Sequence, residues 1–89
     1  MTKKDIYIKM NKDEILLRLN SVFRDVFDDE SLEIDEVTGP DEIDDWDSLA
    51  HISLIAAVES EFGIRFDIKT ALHLKTAGEI AAAVSELLN

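Results

Sequence analysis

Residues 46–63 read Trp-Asp-Ser-Leu-Ala-His-Ile-Ser-Leu-Ile-Ala-Ala-Val-Glu-Ser-Glu-Phe-Gly, and they predict an apolar helix with a marked start and end. Either Asp47 or Ser48 can cap this helix, because a short oxygen-bearing side chain accepts hydrogen bonds from the free amides of a first turn. Gly63 predicts the end, since glycine readily adopts the left-handed conformation that closes many helices. The apolar positions expected on one stripe are Leu49, Ile52, Ile55, Val58 and Phe62.

The segment that follows Asn11 also has helical periodicity, with apolar residues at spacings of three and four as far as Asp28. Asn11 and Glu14 stand three positions apart, as in a capping box, so we expect the first helix to begin there. Residues 1–10 are predicted to form a frayed or loosely docked N-terminal extension. Residues 11–89 are then expected to form a single domain.

The C-terminal part of the chain predicts one short helix and one longer helix. Phe66 is expected to be buried and Asp67 to cap a short helix over residues 68–72. Thr76 and Glu79 have capping-box spacing, and the alanine-rich sequence after them predicts a last helix that continues to the C terminus.

Between the first two helices, Asp28 to Trp46 shows no persistent period and contains the turn signal Gly39-Pro40. We therefore predict a small all-α bundle of three principal helices plus one short helix, with a long first loop. The apolar loop residues predicted to pin the loop to the helices are Leu32, Ile34, Val37, Ile43 and Trp46. The helices are predicted to share a core formed by Phe23, Phe27, Leu49, Ile55, Val58, Phe62, Ile80 and Val84.

The composition narrows the functional class. The 89 residues carry a formal net charge of -11 and include no cysteine, so a disulfide framework, thiolate catalysis and sulfur-ligated zinc are all excluded. No apolar run is long enough for a membrane span, and no signal sequence is recognisable, so we expect a soluble, cytoplasmic, monomeric protein. The acids of residues 28–47 would repel nucleic acids and anionic membranes and would attract basic protein partners. No metal site is predicted, because this run does not match the order of an EF-hand loop.

Ser48 is the candidate for a chemically modified or reactive residue. A serine hydroxyl at the start of a helix faces solvent where backbone amides and the helix dipole favour a negative charge, so a phosphate ester there would be well placed. A serine hydrolase that uses Asp47, Ser48 and His51 is a weaker alternative. Three residues within one helical turn cannot form a linear relay, and no Gly-x-Ser-x-Gly elbow is present.

The chain resembles the acyl carrier protein family, which includes the peptidyl carrier domains. The resemblance covers about residues 11–88 and rests on Trp46-Asp47-Ser48-Leu49, the apolar helix after it, and residues 58–66, which look like the Glu-x-Glu-Phe-Gly-Ile segment of these carriers. It implies a carrier and not an enzyme. Ser48 would receive 4'-phosphopantetheine from coenzyme A through a phosphopantetheinyl transferase, Asp47 would help position the magnesium-bound donor, and Leu49 would contact partners.

The same resemblance implies successive partner enzymes that load and transfer acyl groups. We predict that they use basic patches to dock around Asp44, Asp45, Leu49, Ile52 and Glu59. Ala-His-Ile-Ser at residues 50–53 replaces the acids that carriers of fatty acid synthesis have there, so a specialised biosynthetic pathway is indicated. The alternative function is an unmodified acidic helical module that docks on a basic protein partner.

Three further residues are candidates for a function. His51 is predicted to be a half-exposed surface histidine. Its alternative role is to tune the surroundings of the phosphopantetheine group, or arm, on Ser48. His73 has no partner at metal-ligand spacing and is also expected on the surface. Trp46 is predicted to anchor the loop in the core rather than to contact a partner directly.

Overall fold

The structure, a computed structural model, describes residues 10–88 and contains four helices. Their bounds are α1 Lys12–Val26, α2 Ser48–Phe62, α3 Ile68–His73 and α4 Ala77–Leu88. No strand is present in this part of the chain, so the predicted all-α bundle of three principal helices and one short helix is confirmed. The predicted N-terminal extension falls almost entirely on residues 1–9, which lie outside the described residues.

Polar side chains start the first helices at the predicted places. The capping box of α1 is confirmed: the Glu14 amide donates to Asn11 Oδ1 at 2.9 Å, and the Asn11 amide donates to Glu14 Oε1 at 3.0 Å. Of the two candidates at the start of α2, Asp47 is the cap, and its Oδ1 accepts the Ala50 amide at 2.9 Å. Gly63 closes α2 with the expected positive φ of 66°.

The two C-terminal helices also have caps. Asp67 Oδ1 accepts the Thr70 amide at 2.9 Å and so caps α3, as predicted. Thr76 Oγ1 accepts the Glu79 amide at 3.1 Å, but the return bond of a capping box is displaced by one residue. Glu79 Oε1 accepts the Lys75 amide at 2.7 Å instead. At α4, therefore, one of the two hydrogen bonds of the predicted capping box is present, and the other is made with the preceding residue.

A continuous core lies between α1, α2 and α4 and includes the end of the long loop. Its fully enclosed large side chains are Phe23, Ile15, Leu19, Leu54, Ile80, Val58 and Val84. Two predicted members of the apolar stripe of α2 do not join the core, because Leu49 is 76% exposed and Ile52 is 61% exposed. Leu54, which was not predicted, is fully buried. Apolar residues surround most of α2, so spacing does not define which of its sides faces the core.

The long loop is held by both apolar and polar contacts. Ile43 and Trp46 are buried, and Leu32 and Ile34 pack partly buried against the core, as predicted. The prediction for Val37 is wrong, since this side chain is 72% exposed. Its neighbour Thr38 turns inward instead.

Backbone and amide groups provide loop contacts that apolar spacing did not reveal. Asn20 of α1 bridges two points of the loop, because Oδ1 accepts the Ile34 amide at 2.7 Å and Nδ2 donates to the Leu32 carbonyl at 3.2 Å. Further along the loop, the Thr38 carbonyl accepts the amide of Ala77, the first residue of α4, at 2.9 Å. The loop is therefore tied to α1 and to the start of α4.

The end of α1 has an unusual backbone position. Asp28 has a positive φ of 52°, and two hydrogen bonds close the turn around it: Asp28 N–H to the Asp25 carbonyl and Asp29 N–H to the Arg24 carbonyl. This is the Schellman pattern, in which glycine is usual because a side chain is strained in the left-handed region. The Asp28 carboxylate also lies at the negative end of the helix dipole.

We expect Asp28→Gly to raise the free energy of unfolding by about 1 kcal/mol, because it relieves the backbone strain and removes the unfavourable charge. Urea unfolding measures the change. Asp28→Ala removes the charge but keeps the backbone strain, so its free energy of unfolding should rise less than that of the glycine variant. A glycine variant no more stable than the wild type would contradict the assignment of backbone strain to Asp28.

Asp29, the next residue, has a perturbed carboxyl group. Hydrogen bonds from the Ser31 hydroxyl at 2.6 Å and the Ser31 amide at 3.0 Å hold the pKa of Asp29 below its ordinary value of 3.8. These bonds need the ionised carboxylate. Their contribution to stability is therefore present above the pKa of the unfolded state and is lost as the pH falls through the lower folded pKa.

Candidate functional site

Ser48 is the first residue of α2 and is exposed to solvent. Its hydroxyl makes no hydrogen bond within residues 10–88, because Asp47 and not Ser48 caps the helix. A serine that caps a helix would have its oxygen turned toward the backbone amides. The division of roles between these two residues leaves the Ser48 oxygen open for modification.

The start of α2 also leaves two backbone amides open. The Ala50 amide donates to the Asp47 side chain, and the His51 amide donates to the Asp47 carbonyl at 2.8 Å. The amides of Ser48 and Leu49 donate to no acceptor in the described part of the chain. Free amides at a helix N terminus attract a phosphate group, so these residues fit a phosphodiester on the Ser48 oxygen.

Trp46 fixes the approach of the loop to this site. Its side chain is 5% exposed, and its ring meets Phe23 edge-on at 5.4 Å between centroids with an interplanar angle of 82°. The centroid of the Phe27 ring lies 6.1 Å from that of the Trp46 ring. The predicted role of Trp46 as a core anchor is confirmed, and this anchor sets where Ser48 begins the helix.

His51 is partly exposed, in agreement with the prediction of a half-exposed histidine, but its two hydrogen bonds were not predicted. The ring is partly buried and both of its nitrogens are engaged: Trp46 Nε1 lies 3.0 Å from Nδ1, and Nε2 lies 2.8 Å from the Ala71 carbonyl oxygen. The two ring planes are nearly parallel, at 12° to each other. Sequence spacing gave no sign of this bridge, because Ala71 lies 20 residues further along the chain.

The hydrolase alternative finds no support in this geometry. The His51 nitrogens bond to Trp46 and to Ala71, and Asp47 Oδ1 caps the helix. No hydrogen bond joins Ser48 to either residue among those that the structure describes. The relay that a serine nucleophile needs is therefore not assembled.

Two cavities lie beside α2. The outer cavity, of about 390 Å³, borders Ser48 and extends past Trp46 and Lys75. The inner cavity, of about 360 Å³, lies between α2 and α3 and has a mainly apolar lining that includes Ile55 and Phe66. An arm on Ser48 would therefore start at the edge of the outer cavity, and the inner cavity lies one helical turn further on; both are partly open to solvent.

The predicted partner-binding residues occupy different settings. Asp44 and Asp45 are exposed just before α2, and the exposed Leu49 and Ile52 lie on the first turns of α2. Glu59 is only partly exposed, because its Oε2 accepts the Phe66 amide at 2.9 Å and so ties α2 to the segment before α3. Glu59 thus has a structural role that was not predicted, and its role in partner binding stays a prediction.

Sequence reasoning missed that α3 contributes to the same surface. Ile68 is 78% exposed and Leu72 is 61% exposed, and α3 contains no buried residue. Leu72 and Ile52 line both cavities beside α2. The spacing of four between Ile68 and Leu72 was a usable signal, since it places two apolar side chains on one face of a six-residue helix.

Other candidate sites find little support. His73 is exposed, and its Nδ1 lies 2.7 Å from the Lys69 carbonyl oxygen of its own helix, in agreement with its predicted surface position. Among residues 10–88, no group of three or more side chains could hold a metal ion together. None of the helices described here has the length and apolar character that crossing a membrane requires.

Comparison with known proteins agrees with this geometry. A family model described as "Phosphopantetheine attachment site" matches residues 18–84, which is most of the chain and includes the start of α2. Members of that family carry a covalent 4'-phosphopantetheine group. No curated protein and no solved structure matches the chain.

Proposed function

Because the chain belongs to the phosphopantetheine attachment site family, we propose that it is a stand-alone acyl carrier protein with its arm on Ser48. The arm's terminal thiol holds an acyl or aminoacyl group as a thioester, and the helices present that group to successive enzymes. The protein is then a substrate of its partners and performs no catalysis. We place it in the cytoplasm and in a specialised biosynthetic pathway.

The observation that carries the assignment is the free hydroxyl of Ser48 at the start of a helix that Asp47 caps. In the transfer, the Ser48 oxygen forms a phosphoester with the phosphate next to pantetheine. The anhydride bond of coenzyme A breaks, adenosine 3',5'-bisphosphate leaves, and the serine proton passes to a base of the transferase. The free Ser48 and Leu49 amides would then face the new phosphodiester.

Asp47 supports the transfer through a side chain with two separate tasks. Its Oδ1 holds the Ala50 amide, while Oδ2 makes no hydrogen bond within residues 10–88. The exposed oxygen is suited to a magnesium ion that comes with coenzyme A, since Mg²⁺ prefers carboxylate and phosphate oxygens. The same carboxylate also keeps the Ser48 hydroxyl free of the capping role.

The test is uptake of one arm. The purified chain is incubated with coenzyme A, magnesium and a broad-specificity phosphopantetheinyl transferase, and the intact mass is then recorded. We expect a single addition equal to one phosphopantetheine group. The competing function, an unmodified acidic module that docks on a basic partner, predicts a folded protein whose mass stays unchanged.

Partner enzymes are proposed to dock where the acidic loop meets α2, around Asp44, Asp45, Leu49, Ile52 and Glu59. The acids of the loop lie before Ser48, while the first turns of α2 carry exposed apolar residues instead. Charges at the rim of an interface act mainly by steering the encounter, and the apolar residues at its centre contribute most of the affinity.

We expect the double variant Asp44→Lys and Asp45→Lys to slow arm transfer through the association rate and to flatten its salt dependence. Initial rates at several salt concentrations measure both effects. A matched control reverses Asp13 of α1 and Glu86 of α4, two exposed acids outside the loop, and should leave the rate close to that of the wild type. Equal rates for both double variants at low salt would show that the loop acids do not guide docking.

A further inference from the structure

His51 is the residue through which α2 holds α3. An indole N–H can only donate, so Nδ1 of His51 accepts from Trp46 and the proton of the neutral ring is on Nε2. Nε2 therefore donates to the Ala71 carbonyl oxygen at 2.8 Å. One side chain thus connects the end of the long loop, the first turn of α2 and the middle of α3.

The short helix α3 has few other attachments. It buries none of its own residues, although Phe66 before it and Leu74 after it are buried. In the described part of the chain, the His51 to Ala71 bond is the one hydrogen bond that joins α2 to α3 itself. A helix with little buried apolar area and few hydrogen bonds has a low free energy of local opening. Loss of this bond would therefore have a large effect on the position of α3.

His51 also lies at the boundary between the two cavities. His51, Ile52 and Leu72 line both the outer cavity at Ser48 and the inner apolar cavity between α2 and α3. Ile52 and Leu72 are more than half exposed, so they are not packed in place by the core. The hydrogen-bonded imidazole is the fixed member of this shared wall.

We propose that His51 is a positioning residue. Its hydrogen bond to the Ala71 carbonyl, called the latch below, holds α3 against α2 and thereby selects the length of the acyl group that the protein can shelter. With the latch closed, an apolar group carried from Ser48 stays in the outer cavity. With the latch open, α3 moves away and a longer group reaches the inner cavity. The attachment of α3 by His51 is a property of the unmodified chain, whereas the selection of acyl length rests on the proposed function.

Two substitutions separate the two bonds of His51. In His51→Gln, the side-chain NH₂ group reaches the position of Nε2 and can still donate to the Ala71 carbonyl. In His51→Asn, the side-chain oxygen takes the position of Nδ1 and can still accept from Trp46, but nothing reaches Ala71. The glutamine variant therefore keeps the latch, and the asparagine variant loses it.

Amide hydrogen exchange on the unmodified chain tests the latch. In His51→Asn, we expect the amides of Ala71 and Leu74 to exchange about tenfold faster, the change that one lost hydrogen bond typically produces. The amides of α1 should keep their wild-type rates, and His51→Gln should restore slow exchange at α3. Equal exchange at α3 in the wild type and both variants would overturn the proposal, as would uniform acceleration throughout the protein.

The wild type supplies a measurement that does not depend on a variant folding. Nitrogen NMR of the His51 ring should show the proton on Nε2 and a through-bond coupling from Nε2 to the Ala71 carbonyl carbon. A ring protonated only at Nδ1, or a carbonyl without this coupling, would overturn the latch.

The selection of acyl length is tested on protein whose arm carries an octanoyl or an acetyl group as a thioester. Hydroxylamine should cleave the octanoyl group several-fold more slowly from His51→Asn than from the wild type or His51→Gln, because the longer chain enters the inner cavity. The acetyl group should show no difference among the three proteins. Equal octanoyl cleavage in all three would refute the length selection, whereas failure to load any arm would refute the proposed function and leave the exchange result to decide the latch.

Discussion

Phe23→Ala is expected to lower the free energy of unfolding by about 3–5 kcal/mol, which is the usual cost of truncating an enclosed aromatic ring. Phe23 is 0% exposed and lies between Phe27 and Trp46, with ring centroids at 5.9 Å and 5.4 Å. Its removal leaves a cavity below the residue that anchors the loop. A domain of this size has only about 5–10 kcal/mol of stability, so a large share of it would be lost.

Urea unfolding followed by tryptophan fluorescence measures this loss, because the single tryptophan of the chain is Trp46. The matched control is Leu17→Ala on the same helix, whose side chain is 72% exposed. We expect a change below about 0.5 kcal/mol for this surface position. Similar losses for the two variants would contradict the packing described for α1.

Ser48→Ala is expected to abolish uptake of the phosphopantetheine arm while the thermal unfolding midpoint stays close to that of the wild type. The hydroxyl makes no hydrogen bond within residues 10–88, and alanine is a good helix former, so the fold loses nothing with it. The transfer, in contrast, has no acceptor oxygen left. Intact mass and a melting curve on the same preparation give both results.

Ser53→Ala is the control for this variant, since Ser53 is another exposed serine of α2. It should take up one arm at the wild-type rate. Continued uptake by Ser48→Ala, or a large fall in its melting temperature, would show that the role assigned to the Ser48 hydroxyl is wrong.

The starts and ends of the helices could be predicted because their signals are local. Asn11 with Glu14, Asp67, and Gly63 act through backbone groups within a few residues, and each does so in the structure. The order of helices and the long first loop follow from these signals. Ser48 could be singled out as the candidate attachment residue for the same reason, since the motif around it is contiguous.

The buried side of α2 could not be predicted from spacing. Most of the helix is apolar, so the period does not distinguish the covered Leu54 from the exposed Leu49 and Ile52. Which side is buried depends on where α1 and α4 pack. Val37 and Thr38 illustrate the same limit in the loop, where a backbone contact to α4 and not hydrophobicity selects the inward residue.

The role of His51 could not be found either, because its two hydrogen-bond partners lie in two other segments of the fold, the end of the long loop and α3. The imidazole meets the Trp46 indole across the start of α2 and a backbone carbonyl of α3. A carbonyl carries no sequence signal, since every residue has one. Only the position of α3 against α2 makes the bridge visible.

The most direct measurement of the central claim is tandem mass spectrometry of the chain after incubation with coenzyme A, magnesium and a transferase. Residues 25–65 contain no internal lysine or arginine, so trypsin releases one peptide that holds Ser31, Ser48, Ser53 and Ser60 together. Fragment ions then locate the added mass. We expect one phosphopantetheine group on Ser48 and none on the other serines. An arm on a different residue, or a folded chain that accepts no arm, would contradict it.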